Sequence, residues 1–400
     1  MVRGLVIGFA AALAGAVAVA ALRAEPAGPT FAWPFRVTGR TNVLVMGLDR
    51  TVSDRNPNVV YPVSRTDTLI AVGFDPGSRR VHVLSIPRDT RAAIPGHGTD
   101  KINAAHAYGD LALTRRTVEN FTGVAFPYYI TMTERGYVHL IDAVGGVTIR
   151  IDKDLNYDDN WDGLHVHLKK GNRRLGGQAA IEYARFRHDP LGDIGRIRRQ
   201  QQVVDALVAE LRRPRVVFRA GRILTVFRED IATNLRPEQL IALGWFAARL
   251  PKDGIDRGTL PGRFGASDWL PDPAEDRATI ARMFYGMDAA DLARTSVEVL
   301  TSGAGRDAVG DALARLGALG VRVVRVASAP DAAESVLVVH QGDTRVAAVI
   351  AAGTRMSRVL VEPASTAAVT AAAPRGTAPA EFTLVLGRGY GAQVTPPPTP

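Results

Sequence analysis

Charged residues form five short blocks in the first half of this chain, and their residue types suit one kind of chemistry. The blocks are NVLVMGLDR (residues 42–50), SRTDT (64–68), SIPRDT (85–90), DKINAAHAYG (100–109) and YARFRHDPLGDIGRIRRQQ (183–201). Together they supply a few carboxylates and many guanidinium groups. Carboxylate oxygens suit a hard divalent metal, and guanidinium forks suit phosphate oxygens. The pattern therefore indicates a metal-assisted site for a phosphate-bearing substrate.

Two aspartates stand at the ends of apolar runs that are predicted as strands. Asp49 follows the run 43–48, and Asp67 precedes the run 68–74. Taken alone, an aspartate in such a position is more often a turn or helix cap. Arg50 beside the first and Arg65 near the second favour a different interpretation, in which metal and cations meet at one anion. Because Mg²⁺ is typically held by one or two carboxylates with substrate phosphates and water, two aspartates suffice.

The last block carries the most specific pattern. Arg185 and Arg187 are separated by Phe186, so extended geometry places both guanidinium groups on one side. A following helical turn places three more polar side chains on one face, those of Arg196, Arg199 and Gln200. Helix formation does not require such a run of arginines, and we expect those side chains to converge with Arg88 on one anion.

Composition and the N-terminus limit the classes of partner and compartment. The formal charge is +9, from 44 arginines and 5 lysines against 40 acidic residues, which favours anionic partners. Gly4 to Leu22 is uncharged and long enough to cross a bilayer as a helix, with a cleaved signal peptide as the alternative. Under either interpretation, the residues that follow this segment are exported from the cytoplasm. Export, and the lack of a recognisable basic helix–turn–helix, argue against nucleic acid as a partner.

The elements that must position these residues alternate between strand and helix patterns. Apolar runs at 43–48, 68–74 and 81–86 predict buried strands, and 102–121 has helical spacing. Helical patterns extend to about residue 284, and residues 152–163 are predicted as an acidic loop. His165 and His167 share one face of a predicted strand, without a visible third metal ligand. The fold class predicted is an α-β-α sandwich with a mixed, mainly buried sheet, plus a small C-terminal α/β domain.

The blocks and their order resemble the LytR–CpsA–Psr family of cell-envelope proteins. The resemblance is strong over roughly residues 40–215 and weaker over the last hundred residues, which look like the family's LytR-type C-terminal domain. The family transfers glycopolymers from a polyprenyl-pyrophosphate carrier to the bacterial cell wall. The resemblance thus implies a phosphotransferase with Mg²⁺ as cofactor and Mn²⁺ as its alternative, peptidoglycan as acceptor, and a membrane location.

Residue by residue, the resemblance gives each block a role. It makes Asp49 and Asp67 the metal ligands and, with Arg88, the catalytic residues. It places a larger set around the lipid pyrophosphate: Arg50, Arg65, Arg88, Lys101, Asn103, Arg185, Arg187, Arg196, Arg199 and Gln200. Asp89, expected to hold Arg88, and Asp193 are supporting residues.

The predicted organisation and the alternative functions complete the expectations. The domains are a membrane anchor or signal peptide (1–24), a tether (25–40), the catalytic domain (41–285), a linker (286–295), the C-terminal domain (296–391) and a disordered tail (392–400). Two other functions stay open, namely hydrolysis of the same pyrophosphate and non-catalytic binding of anionic polymer or lipid. Metal dependence separates enzyme from scaffold, and the identity of the acceptor separates transferase from hydrolase.

Overall fold

A computed structural model describes most of the chain after its first thirty residues. The described residues are 31–32, 36–48, 66–160, 164–186, 188, 213–251, 253–362 and 380–390, with scattered positions between 195 and 210. Within these ranges, no helix has both the length and the apolar character needed to cross a bilayer. The predicted anchor at 4–22 and the tail at 392–400 lie outside the described residues.

Most strands are short and lie in the first two thirds of the chain. In chain order they are β1 (Phe31–Ala32), β2 (Arg36–Val37), β3 (Thr41–Leu48), β4 (Thr66–Asp75), β5 (Arg80–Ile86), β6 (Arg91–Ile94), β7 (Gly98–Lys101), β8 (Tyr128–Thr133), β9 (Val147–Ile151), β10 (Leu155–Asp159), β11 (Leu164–Leu168), β12 (Gly171–Leu175), β13 (Ile231–Thr233), β14 (Ile255–Thr259), β15 (Gly262–Phe264), β16 (Trp269–Pro271), β17 (Ser296–Ser302), β18 (Arg322–Ser328), β19 (Val336–Val339), β20 (Val359–Val361) and β21 (Phe382–Gly387).

The helices are interspersed among these strands. They are α1 (Ala104–Thr122), α2 (Glu134–Ala143), α3 (Gly177–Arg185), α4 (Ala220–Glu229), α5 (Pro237–Ala248), α6 (Pro273–Ile280), α7 (Ala289–Arg294), α8 (Arg306–Leu319) and α9 (Thr344–Thr354). A 3₁₀ turn spans Pro214–Arg219 and a π turn spans Ala281–Tyr285. The described positions between 195 and 210 are helical.

The chain divides into two compact units. The first comprises residues 1–87 and 127–259, and the second comprises residues 88–126 and 260–400. The segment 88–126 thus groups with the C-terminal part of the chain. The ranges 41–285 and 296–391 inferred from sequence stay predictions.

The first unit is built on a six-stranded mixed sheet in the order β13-β8-β3-β4-β5-β14. β3 runs antiparallel to β4 and parallel to β8, while β5 runs antiparallel to β4 and parallel to β14. Four successive residues of β3, from Val43 to Met46, are buried, so both faces of that strand are covered. This arrangement confirms the predicted α/β class with a mixed, mainly buried sheet.

The second unit contains a five-stranded mixed sheet in the order β18-β17-β21-β19-β20. Val299, Leu384 and Leu337 on its central strands pack with Leu316 of α8 and Ile350 of α9 in one buried cluster. This confirms the small α/β arrangement expected near the C-terminus. The stretch predicted as a linker contains α7, whose Leu292 is buried.

Two local predictions are wrong. The acidic stretch expected to be a loop contains β10, because buried Leu155 and half-buried Tyr157 alternate with exposed Asn156 and Asp158 and pair with β11. The helical pattern expected to extend to about residue 284 is interrupted by β13, β14, β15 and β16. β14 has the sequence IDRGT, so it lacks the apolar alternation that marks a strand, and its pairing with β5 forms it instead.

Candidate functional site

The strand ends next to which the sequence predicts site residues lie along one edge of the sheet in the first unit. Leu48, the last residue of β3, lies opposite Thr66 at the start of β4 and opposite Thr133 at the end of β8. The last residue of β5, Ile86, lies opposite Leu69 of β4. The residues that enter or leave the sheet at these positions therefore share one edge, as at the carboxyl ends of strands in other open α/β sheets.

A β-bulge marks the position of Asp67 at this edge. Gly47 pairs with Thr68 and Leu48 pairs with Thr66, so Asp67 is the extra residue between them. A Cβ on Gly47 would lie 3.1 Å from the Cβ of Thr68, so the two strands approach closely at this point. Bulges commonly change the direction of a side chain next to an active site. The side chain of Asp67, like Asp49, Arg50 and Arg65, lies outside what the structure describes.

Arg185 stands at the same edge through its contact with α2. Thr133 ends β8 and caps α2 by accepting a hydrogen bond from the backbone N–H of Gly136 at 3.2 Å. Glu134 follows directly, and its Oε1 lies 3.8 Å from Nη1 of Arg185, the last residue of α3. Glu134 was not predicted as a site residue, although its position after an apolar strand resembles that of Asp49.

Arg199 is buried behind the Arg-Phe-Arg segment. Its Nε and Nη2 donate to the carbonyl oxygen of Phe186 at 3.2 and 2.8 Å, and its guanidinium lies 4.9 Å from the centre of the Phe186 ring. Arg199 is 8% exposed and Phe186 is 3% exposed. These contacts hold the backbone carbonyl and the ring of Phe186. A direct contact of Arg199 with a pyrophosphate stays a prediction.

A hydroxyl next to this segment is held neutral. Tyr183 donates its phenolic hydrogen to Oε1 of Gln202. Burial raises the pKa of Tyr183 to about 12, which further favours the neutral form of the phenol. The other members of the predicted set in this region are outside the described residues, namely Arg187, Asp193, Arg196 and Gln200.

In the second unit, Asp89 contacts two of the predicted cations. Its Oδ1 lies 3.0 Å from Nζ of Lys101, and its Oδ2 lies 3.7 Å from Nε of Arg88. Backbone hydrogen bonds hold the two segments together, since Ile102 donates to the carbonyl of Thr90 at 2.7 Å. Residues from the SIPRDT and DKINAAHAYG blocks therefore form one cluster.

Asp268 is a member of this cluster that the sequence did not reveal. Its Oδ2 accepts from Nη1 of Arg91 at 2.9 Å, and its Oδ1 lies 4.0 Å from Nζ of Lys101. The Ser267 hydroxyl, and then Arg91, lower the pKa of Asp268 below its ordinary value, so it is ionised near neutral pH. It is 177 positions from Arg91 along the chain, and no local pattern links them.

Asn103 supplies a buried polar atom that has no partner within the described part of the chain. The residue is 4% exposed, and its backbone N–H donates to the carbonyl of Arg88 at 3.2 Å. Its Oδ1 is buried and has no hydrogen-bond donor among the described residues. A buried acceptor without a donor costs free energy, which a bound hydroxyl or water would offset. The place of Asn103 around the pyrophosphate stays a prediction.

The histidine pair on β11 belongs to a surface cluster instead. His165 Nδ1 and His167 Nε2 lie 2.7 and 3.0 Å from Oδ1 of Asp158 on the neighbouring β10. All three side chains are about half exposed. Over the described residues, no group of three or more His, Cys, Asp or Glu side chains is arranged to hold a metal ion.

A family comparison places the chain. The model of the LytR_cpsA_psr family matches residues 18–297. The chain belongs to the LytR–CpsA–Psr family. The match includes every block from which the candidate site was predicted, and it extends through β14 and the β15–β16 pair.

Two relatives of this LytR–CpsA–Psr protein come from Staphylococcus aureus and Bacillus cereus. Regulatory protein MsrR of Staphylococcus aureus is 35% identical over 226 residues, which cover 56% of this chain and 65% of MsrR. The polyisoprenyl-teichoic acid–peptidoglycan teichoic acid transferase TagU of Bacillus cereus is 34% identical over 201 residues, covering 50% of this chain and 62% of TagU. The chain thus spans less than two thirds of the length of either relative.

A solved structure has a similar fold. Protein gbs0355 from Streptococcus agalactiae superposes with a TM-score of 0.51 at 22% identity, covering 64% of this chain and 90% of that protein. This likeness concerns the fold alone.

Proposed function

We propose that this LytR–CpsA–Psr protein is a phosphotransferase that moves a glycopolymer, with its linking phosphate, from a polyprenyl-pyrophosphate carrier to peptidoglycan. The name of the Bacillus cereus relative, a polyisoprenyl-teichoic acid–peptidoglycan teichoic acid transferase, supports the substrate class. The observation that carries the proposal is the cluster of Arg88 and Lys101 around Asp89, beside the side-chain oxygen of Asn103, which lacks a donor among the described residues.

The proposed reaction exchanges one phosphorus–oxygen bond for another. A peptidoglycan hydroxyl oxygen bonds to the phosphorus of the glycan-linked phosphate. The bond from that phosphorus to the bridging oxygen breaks, and polyprenyl phosphate leaves with the electron pair. The hydroxyl proton passes to a carboxylate, for which Asp67 and Asp49 are the candidates. Arg88 and Lys101 offset charge on the phosphate oxygens as the bond breaks.

The metal is part of the proposal. We assign Mg²⁺, or Mn²⁺ in its place, to Asp49 and Asp67. The donor chemistry fits, because both are hard oxygen ligands, Asp49 follows the last residue of β3, and Asp67 is the bulged residue of the paired strand. When bound, the ion supplies charge neutralisation for the phosphates.

The side-chain oxygen of Asn103 is suited to binding the acceptor, which reacts through an uncharged hydroxyl group. Its Oδ1 accepts hydrogen bonds, whereas an ionised phosphate offers no hydrogen to donate. A hydroxyl of the acceptor glycan would fill this role. In the proposal Oδ1 of Asn103 positions the acceptor hydroxyl, while its Nδ2 amide group and the arginines bind the donor phosphates.

Location forms a separate part of the proposal. Residues 4–22 anchor the chain in the cell membrane as a single span, and the rest of the chain lies outside the cytoplasm. Protease added to spheroplasts should degrade the body while cytoplasmic marker proteins stay intact. Protection of the body together with those markers would refute this location.

Turnover by variants of the full chain in detergent tests the reaction. The assay supplies a lipid-linked glycopolymer, peptidoglycan and Mg²⁺, and it measures glycan attached to peptidoglycan. Asp67→Ala should abolish transfer and Arg88→Ala should reduce it about 10- to 100-fold, whereas Arg345→Ala should retain it. Arg345 is a suitable control because it is an exposed arginine paired with Asp343, also in the second unit. Normal transfer by both site variants would refute the assigned residues.

A further inference from the structure

One block of the sequence, DKINAAHAYG at residues 100–109, contains side chains to which the proposed transfer gives no role. Lys101 and Asn103 belong to the proposed site, whereas Asp100 and Tyr108 do not. All four residues lie in the second unit, in or beside β7 and the first turns of α1. The contacts of Asp100 and Tyr108 therefore bear on how Lys101 is held.

The helix α1 is interrupted directly after Tyr108. Gly109 and Asp110 have non-helical backbone angles, and Asp110 has φ 67° and ψ −162°, a conformation essentially limited to glycine. The carbonyl of Asp110 accepts a hydrogen bond from the hydroxyl of Thr114 at 2.8 Å, which helps to hold this conformation. Residues 104–108 thus form a short helical segment before a kink. Strained residues of this kind are concentrated at functional sites.

Tyr108 reaches from this segment to the β6–β7 hairpin. Its hydroxyl donates to Oδ2 of Asp100, on β7, at 2.6 Å. Its ring stacks on that of His97 in the turn between the two strands, with 4.8 Å between centroids and 8° between the planes. The backbone N–H of His97 donates to the carbonyl of Ile94 at 2.9 Å and closes the turn. Tyr108 therefore joins the start of α1 to both the turn and β7.

Asp100 connects Tyr108 to Lys101, the next residue of β7. Oδ1 of Asp100 accepts a hydrogen bond from the backbone N–H of Lys101 at 2.7 Å, while Oδ2 accepts from Tyr108. The ammonium group of Lys101 lies 3.0 Å from Oδ1 of Asp89. A continuous set of polar contacts therefore runs from the hydroxyl of Tyr108 to the cluster of Lys101, Asp89 and Arg88.

The contact between Tyr108 and Asp100 matters more for geometry than for stability. Tyr108 is 47% exposed, and a hydrogen bond that water can replace adds only modestly to the free energy of folding. The position of a phosphate-binding cation is more sensitive, because displacement of a reacting geometry by about 1 Å can lower a rate about 100-fold. The contact is therefore best explained by the position of Lys101.

We propose that Tyr108 is a positioning residue, which acts through Asp100 to hold the ammonium group of Lys101 toward the donor phosphate. The inference rests on the proposed function, in which Lys101 binds that phosphate. Two hydrogen bonds hold the Asp100 carboxylate, and these fix the peptide group from which the Lys101 side chain extends. Asp89 and the incoming phosphate then share the ammonium group.

The chain has five lysines, so the position of Lys101 can be observed directly. The full chain in detergent is reductively methylated with ¹³C-formaldehyde, and the dimethyl-lysine NMR resonance that disappears in Lys101→Arg is assigned to Lys101. Tyr108→Phe keeps the ring that stacks on His97 and removes only the hydroxyl, so it should shift this resonance. The matched control is Tyr285→Phe, which removes a phenolic hydrogen bond of the same length, 2.6 Å to the carbonyl of Gly123, in the same unit. The control should leave the Lys101 resonance in place.

A double-mutant cycle tests whether Tyr108 acts through Lys101. Binding of polyprenyl pyrophosphate in detergent is measured for the unmodified full chain, Tyr108→Phe, Lys101→Met and the double variant. Tyr108→Phe alone should raise Kd about 3- to 10-fold, the loss expected for one hydrogen bond. It should have no further effect once Lys101 is replaced, because residues that act as one unit are not additive.

Two outcomes would overturn the role of Tyr108. One is a Lys101 resonance that does not move in Tyr108→Phe, and the other is an equal fold increase in Kd in both backgrounds. Failure of the proposed function gives a different result. The unmodified chain would then bind no polyprenyl pyrophosphate, or bind it without transferring glycan, while the Lys101 resonance still decides the contact with Tyr108.

Discussion

A buried ion pair between α1 and α8 gives a stability prediction with a definite size. Glu119 and Arg315 are both 0% exposed, and Nη2 of Arg315 lies 2.9 Å from Oε2 of Glu119. Arg315 Nε also donates to Oδ1 of Asn120 at 3.0 Å, and the backbone N–H of Phe126 donates to Glu119 at 2.8 Å. Arg355 provides Glu119 with a second cation. Because the pair has no access to water, removing one partner leaves an incompletely compensated charge inside the unit.

The substitution Arg315→Met keeps the bulk of the side chain and removes its charge. Loss of one partner from a buried pair typically costs about 3–5 kcal/mol. Since Arg355 still neutralises Glu119, we expect a cost near the lower limit, about 3 kcal/mol. Adding Glu119→Gln should cost less in this background than alone, because the two positions interact directly.

Hydrogen exchange measured by mass spectrometry on peptides from α1 and α8 provides the assay, because it reports the free energy of local opening. The control is Arg345→Met, which breaks an exposed pair and should change that free energy by less than about 0.5 kcal/mol. A change below about 1 kcal/mol for Arg315→Met, or strict additivity with Glu119→Gln, would refute the reasoning.

Three further predictions concern single residues. Burial, then Asp272 and Glu275, raise the pKa of Asp276 to about 7. An acid whose pKa is higher in the folded state destabilises that state increasingly as pH rises from about 4 to 7. In denaturant titrations, Asp276→Asn should therefore match the unmodified protein near pH 4 and exceed its unfolding free energy by up to about 4 kcal/mol at pH 8. Equal stability at both pH values would contradict this. Asp110 has φ 67° and ψ −162° inside α1, a backbone conformation that is essentially limited to glycine. Asp110→Gly should therefore raise the unfolding free energy by about 1 kcal/mol. A lower unfolding free energy in this variant would contradict the inferred backbone strain. Arg88→Ala should lower kcat/KM for the lipid-linked donor about 10- to 100-fold, because a charge-assisted hydrogen bond to the phosphate is lost. Arg88→Lys should restore part of this activity. Full activity of the alanine variant would exclude the contact between Arg88 and the donor phosphate.

The sequence predicted the parts of the site that depend on strand ends. Apolar runs located β3, β4 and β5 to within two residues, and that placed Asp67 at a sheet edge. The extended geometry expected for the Arg-Phe-Arg run is wrong at Arg185, because α3 continues to that residue and places it against Glu134. Local patterns sufficed for the strand ends because strand period and chain order determine which residues leave a sheet at the same edge.

Contacts between distant segments were beyond the reach of local patterns. Asp268, which lies between β15 and β16, contacts Lys101. No alternation of apolar and polar residues in the sequence predicts these two strands. Glu119 joins Arg315 across 196 positions, so α1, which begins directly after Asn103, is supported by C-terminal residues that the sequence had assigned to a separate domain. Long-range pairing depends on tertiary packing, which a single chain's periodicity does not encode.

The fate of the glycan-linked phosphate tests the proposed transfer most directly. Lipid-linked glycopolymer labelled with ³²P in the phosphate next to the glycan is incubated with the full chain, Mg²⁺ and peptidoglycan, and both wall-bound label and released polyprenyl phosphate are measured. The transfer mechanism predicts label in a phosphodiester on peptidoglycan, with one polyprenyl phosphate released per label attached. Label recovered as free glycan phosphate would identify a hydrolase, and unchanged donor would identify a binding scaffold; either result would contradict the proposed function.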